Sequence, residues 1–177
     1  MKKNPLSARL VALTAVLAAL SLVFLYVSCM VPTGRMGVVA VAGLLPAAAV
    51  VSAGPAAGAL CYAGTGLLAL ILLPDKGNAL LYLLFFGVYP LVKYAVERLR
   101  RLPLELVLKL AFFNAAFSLF WFALRAVFLA ALPVGDWATW LLYLGGNAVF
   151  LVYDFGFTKL IGFYIARIDK PLRKGRA

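Results

Sequence analysis

The sequence predicts an all-α integral membrane protein with six transmembrane helices and both termini in the cytoplasm. Three observations carry this expectation. Of 177 residues, 66% are hydrophobic and only 13% are charged, more apolar surface than a soluble domain of that size can bury. At roughly 20 apolar residues per helix, six spans use about 120 residues and leave little chain for any soluble domain. The basic residues, which set a net charge of +11, gather at the ends of apolar runs instead of covering one polar face. That distribution labels topology and is no footprint for nucleic acid.

The first span covers 10–30 and follows Lys2, Lys3 and Arg9. A signal peptide is the alternative, with Leu25-Tyr26-Val27-Ser28-Cys29 as a lipoprotein-like cleavage site. Tyr26 is bulky for that role, however, and the run is long for an h-region of about 7–15 residues, so a retained span is expected. Pro32-Thr33-Gly34-Arg35 turns the chain into a short second span, 36–52, which Ala53-Gly54-Pro55 interrupts. A third span rich in Gly and Ala, 56–73, stops at the turn-forming Pro74-Asp75-Lys76-Gly77-Asn78. The fourth covers 79–96 and leads into the charged internal loop Glu97-Arg98-Leu99-Arg100-Arg101-Leu102-Pro103. A long fifth span, 104–132, reaches the turn Pro133-Val134-Gly135-Asp136, and the sixth covers 137–166 before a basic tail, 167–177.

Six spans bring both termini to one side, and the asymmetry of Lys and Arg says which. The cytoplasm then receives the N-terminal group, the cluster Lys93, Arg98, Arg100, Arg101 and Lys109, and the group Lys159, Arg167, Lys170, Arg173, Lys174 and Arg176. Arg35 and Lys76 fall outside, and Arg125 lies within the bilayer. Five or seven spans would put one basic cluster outside.

The chain has no His and only two Cys, Cys29 and Cys61, so a zinc, haem or iron–sulfur centre is not expected, nor any cofactor. No nucleophile stands with a His, no pair of carboxylates shares a span at acid/base spacing, and no phosphate loop ends in Gly-Lys-Ser/Thr. The sequence is therefore not expected to be an enzyme, and active transport would need an ATPase from elsewhere.

Four helical stripes stand out. Ala8, Ala12, Ala15 and Ala19 give the first span one smooth face, suited to close helix approach either inside the bundle or against another subunit. Gly54, Gly58, Gly64 and Gly66 repeat the pattern on the third span, where internal packing is the stronger expectation. The fifth span aligns Asn114, Ser118, Trp121 and Arg125, and the sixth aligns Trp140, Tyr143, Asn147 and Asp154. Two polar faces on consecutive helices suggest a shared cavity. An Arg in hydrocarbon costs about 3 kcal/mol on insertion scales, so Arg125 either faces that cavity or snorkels to the outer headgroups. Asp154, nearer to Lys159, is expected in a structural ion pair. Trp137 and Trp140 fit either ligand stacking or an interfacial aromatic belt.

With its length, its six spans, the Ala-spaced stretch from Arg9 to Leu20, the Pro/Gly first outer loop and Gly54-Pro55-Ala56-Ala57-Gly58-Ala59, the chain resembles the substrate-binding (S) components of energy-coupling factor vitamin transporters. The resemblance implies an importer subunit that binds a small vitamin-like molecule near the outer surface and docks onto a transmembrane coupling subunit driven by two cytoplasmic ATPases. Carried over residue by residue, docking falls on Ala8, Ala12, Ala15 and Ala19. Binding falls on Arg125, Tyr143 and Asn147 with the loop residues Arg35, Lys76 and Asn78, and Asn114, Ser118, Trp121 and Trp140 share their helix faces. The three cations would favour an anionic ligand, while Trp121, Trp140 and Tyr143 could stack a ring. The alternative is a non-catalytic scaffold of the cell envelope, whose basic clusters hold anionic lipid or a protein partner.

Overall fold

Hydropathy brings helices into being here, and Gly and Pro decide where they stop. The first three are α1 (Ala8–Met30), α2 (Arg35–Ala53) and α3 (Pro55–Leu72). The fourth crossing is composite: α4 (Lys76–Leu81), a π-helical turn (Tyr82–Phe86) and α5 (Tyr89–Glu97). Then come α6 (Leu102–Val127) and α7 (Asp136–Tyr164), the latter closing in a second π-helical turn, Ile165–Asp169. The structure is a computed structural model that describes residues 8–127 and 136–169, with side chains described for 8–121 and 140–169. Six of its helical segments are long and apolar enough to cross a membrane, and no strand occurs among the described residues. The described residues are almost entirely helical, and their six apolar crossings suggest a multi-pass membrane protein.

Two junctions rely on glycine. Gly34 (φ 79°) precedes α2 and Gly54 (φ 93°) separates α2 from α3, in backbone regions where a Cβ would be strained. Pro55 then opens α3 at a position whose N–H would have no helical partner anyway.

Two prolines inside spans explain less regular features. Pro46 in α2 removes the donor that would otherwise serve the Ala42 carbonyl. In hydrocarbon that carbonyl needs another partner, and Ser21 of α1 donates to it at 2.9 Å. Pro90 likewise frees the Phe86 carbonyl. The chain ahead of it widens into the π-helical turn, in which the Gly87 N–H donates to the Tyr82 carbonyl at 2.7 Å. The freed Phe86 carbonyl lies against Gly43 of α2, at a spot where any Cβ would collide with it. The fourth span is therefore not the continuous helix over 79–96 that hydropathy alone suggests.

The α1, α2 and α3 helices pack most closely with one another. A core cluster including Leu25, Val39, Ala69, Tyr82 and Phe86 joins them to the fourth crossing, and Thr65 of α3 donates to the Ala18 carbonyl of α1 at 3.1 Å. A second cluster, Ala47, Tyr89, Phe113, Phe150 and Phe157, ties α6 and α7 to α2 and α5.

Polar contacts define the two ends of the bundle. At one end Arg35 pairs with Asp75 at 3.4 Å, and buried Asn78 donates to Ser28 at 3.0 Å. At the other, Ser52 bonds Tyr164 (2.9 Å) and donates to Asp169 (3.2 Å). The chain is helical to Asp169 at that end.

Candidate functional site

The α6 and α7 helices meet along a polar seam built from residues that share helix faces in the sequence. Asn114 Nδ2 donates to Asn147 Oδ1 at 2.9 Å, and Asn147 Nδ2 returns a bond to Asn114 Oδ1 at 3.1 Å. Each amide also donates one turn back along its own helix, to the carbonyls of Leu110 and Tyr143, both at 2.8 Å. One turn further along α6, Ser118 Oγ and the Tyr143 hydroxyl lie 2.6 Å apart, and the Tyr143 ring meets Phe117 edge-on at 5.0 Å. Side-chain amides in hydrocarbon associate because each offers the other both a donor and an acceptor.

The seam has a cavity on each side. On one side Asn114, Trp140, Tyr143, Leu144 and Asn147 border an open space of about 520 Å³; Trp140 is 80% exposed there, while Trp121 is half-buried. On the other side α6 and α7 face α2 and the fourth crossing across an aromatic groove of about 460 Å³. The side chains of Arg125 and Trp137 lie outside the described residues.

The predicted loop residues are engaged within the first four helices. Arg35 pairs with Asp75 and donates to the Val31 carbonyl at 3.1 Å. Lys76 Nζ closes the C-terminal end of α3 by donating to the carbonyls of Leu70 (2.7 Å) and Leu73 (2.8 Å), where a cation also meets the negative end of the helix dipole. Asn78 is buried against Ser28. Two of the three cations expected to attract an anion are thus spent on structure.

The small-residue faces divide sharply. Gly58 packs on Val50 and the Pro46 carbonyl, and Gly66 packs on Leu83. Ala8, Ala12, Ala15 and Ala19, by contrast, are all exposed on the outside of the bundle.

An ion cluster escapes the sequence reading. Lys93 of α5 and Lys109 of α6, only 3% and 6% exposed, share two carboxylates. Lys93 Nζ contacts Asp154, Glu97 (2.7 Å) and Thr158 (2.9 Å). Lys109 Nζ contacts Glu97 (2.8 Å) and Asp154 (3.1 Å), and the Tyr89 hydroxyl also donates to Asp154. The sequence predicts both lysines only as part of the cytoplasmic basic cluster; they are buried, which is tolerable only because each ammonium has two carboxylates. Asp154 is in an ion pair, but with these lysines; Lys159 lies instead over the Phe155 ring at 5.3 Å. The available signals were the i,i+4 spacing of Lys93 and Glu97 and the position of Lys109 two turns inside an apolar helix.

Compared with models of known families, with curated proteins and with solved structures, the chain matches none.

Proposed function

We propose that the protein is the membrane-embedded substrate-binding subunit of an importer of the energy-coupling factor type, taking up a small vitamin-like molecule with separate ATPase subunits as the motor. The observation that carries this reading is the unburied face of Ala8, Ala12, Ala15 and Ala19. The glycines of α2 and α3 that approach a neighbour closely, Gly43, Gly58 and Gly66, do so inside the bundle, whereas this face offers the same kind of smooth surface to a helix that is not part of the chain. The α6 to α7 seam, with a cavity on either side, supports a ligand site on the last two helices.

In this proposal the end holding Ser52, Glu97 and Asp169 is cytoplasmic, since Lys93, Arg98, Arg100, Arg101 and Lys109, with Lys159 and Arg167 of the last helix, gather toward it. The Arg35–Asp75 end is external, and both termini are inside the cell membrane.

The test is affinity purification from the native membrane. An ATP-hydrolysing pair and a transmembrane coupling subunit should come with the wild-type chain. Ala12→Trp with Ala15→Trp should reduce that recovery at least five-fold while leaving thermal unfolding unchanged, because both positions are exposed. Recovery of envelope-assembly or division proteins in place of ATPases would overturn the reading in favour of a scaffold.

A further inference from the structure

The α2 helix is joined to α7 over only half its length. Ala47 shares a core cluster with Phe150, and Ser52 bonds Tyr164. Met36, Gly37 and Ala40, at the start of α2, instead face α7 across the groove. The α6 and α7 pair is thus pinned at the ion-cluster end and stands away from α2 toward the other. At about 460 Å³ the resulting space falls within the range of small-molecule sites.

Its walls specify a chemistry. Among the described residues no charged side chain lines it, so an ionic ligand held by these walls would give up its hydration without compensation. Phe113 and Phe150 stack at 4.8 Å with an interplanar angle of 14°, and Phe85 meets them edge-on at 5.7 Å and 5.9 Å. Phe113 and Phe150 cover each other's faces and are buried, so a further aromatic or conjugated ring would meet this cluster at its edges. The π-helical turn that presents Phe85 and Phe86 is a distortion often found at functional sites.

One residue of the groove wall carries a covered polar group without a mate. Among the described residues, the Tyr153 hydroxyl is the buried side-chain polar atom that has no hydrogen-bond partner, although Tyr153 lines this space. Such an orphan is uncommon in any fold and costlier in hydrocarbon, where water does not substitute.

We infer that the groove between α2, the fourth crossing and the α6 to α7 pair binds an uncharged, planar ring compound bearing a carbonyl, packed against the edges of the Phe85, Phe113 and Phe150 cluster with the carbonyl accepting from Tyr153. This rests on the small-molecule-binding reading above and names the ligand class, replacing an anion with a neutral aromatic.

The probe is 9-fluorenone, a neutral planar ketone, added to the protein in nanodiscs. Quenching of the three tryptophans, Trp121, Trp137 and Trp140, reports binding, and empty nanodiscs correct for partitioning. Fluorene, which lacks the carbonyl, and fluorenone-4-carboxylate, which adds a charge, are the comparison ligands. Fluorenone should bind saturably, fluorene roughly five-fold more weakly from the loss of one hydrogen bond, and the carboxylate at least ten-fold more weakly.

Tyr153→Phe should bring fluorenone down to the affinity of fluorene and leave fluorene unchanged. Gly37→Phe should weaken both ligands at least ten-fold; a Cβ at Gly37 meets nothing within 4 Å, so the new side chain starts from open space beside the groove, and unchanged thermal unfolding checks that the bundle is intact. Non-saturable quenching equal to that of empty nanodiscs, tightest binding by the carboxylate, or unchanged fluorenone affinity in both variants would overturn the inference. Failure to recover ATPases sinks the importer reading and leaves these binding measurements untouched. Loss of probe binding with ATPases still recovered sinks only the groove.

Discussion

Asp154→Asn keeps the size of the side chain and removes one of the two negative charges that neutralise Lys93 and Lys109. The side chains of those lysines are 4% and 8% exposed, that of Asp154 18%, and that of Glu97 41%. After the substitution both ammonium groups depend on the more exposed carboxylate. Breaking a buried ion pair from one side costs 3–5 kcal/mol, and with Glu97 still bonded to both lysines we expect the lower bound, about 3 kcal/mol. Adding Lys109→Met restores neutrality, because the remaining Lys93–Glu97 pair at 2.7 Å is complete in itself. The double variant should therefore be more stable than Asp154→Asn alone by about 1.5 kcal/mol, because the two substitutions act in one network and do not add. Reversible unfolding in mixed micelles on titration with SDS, followed by helical circular dichroism, measures both quantities. The reasoning fails if Asp154→Asn costs less than about 1 kcal/mol, or if the two substitutions add as independent losses.

Three further expectations can be read by the same assay. Asn147→Ala removes both amide bonds to Asn114 and should cost about 1 kcal/mol, at the roughly 0.6 kcal/mol measured for an average interhelical bond in a membrane; in a cycle with Asn114→Ala most of that loss should appear as coupling. Gly43→Ala drives a Cβ into the Phe86 carbonyl and should destabilise by about 2 kcal/mol, since backbone and not a flexible side chain must yield. Gly64→Ala meets nothing within 4 Å and should be neutral or stabilise by about 0.5–1 kcal/mol through helix propensity, which makes it the control for the strain at Gly43.

Much of the path of the chain was legible because the bilayer imposes a length and a polarity on every crossing. The turns at Pro32–Arg35 and Gly54 coincide with helix ends, as expected where Gly and Pro deny the helix its geometry or its donor, while the expected turn Pro74–Asn78 is shorter, α4 starting already at Lys76. The seam was legible as far as helical phase goes, since Asn114, Ser118, Tyr143 and Asn147 share faces by spacing alone. Which residue bonds to which depends on the axial offset of α6 against α7, and no periodicity within one helix contains that offset. The break in the fourth span was signalled by Pro90, but its form, a π-helical turn lying on Gly43, needs α2 beside it.

By itself the sequence determined a multi-pass helical membrane protein whose turns follow its Gly and Pro, because apolar run length and missing backbone donors act locally. Tertiary structure alone decided that Lys93 and Lys109 are interior, that Arg35 and Lys76 are paired or capping, that the Ala8 to Ala19 face is left bare, and that an aromatic groove opens beside Tyr153. Each of these depends on which helix stands next to which and at what height, and burial, charge pairing and cavity shape are properties of neighbours that no single helix carries in its own sequence.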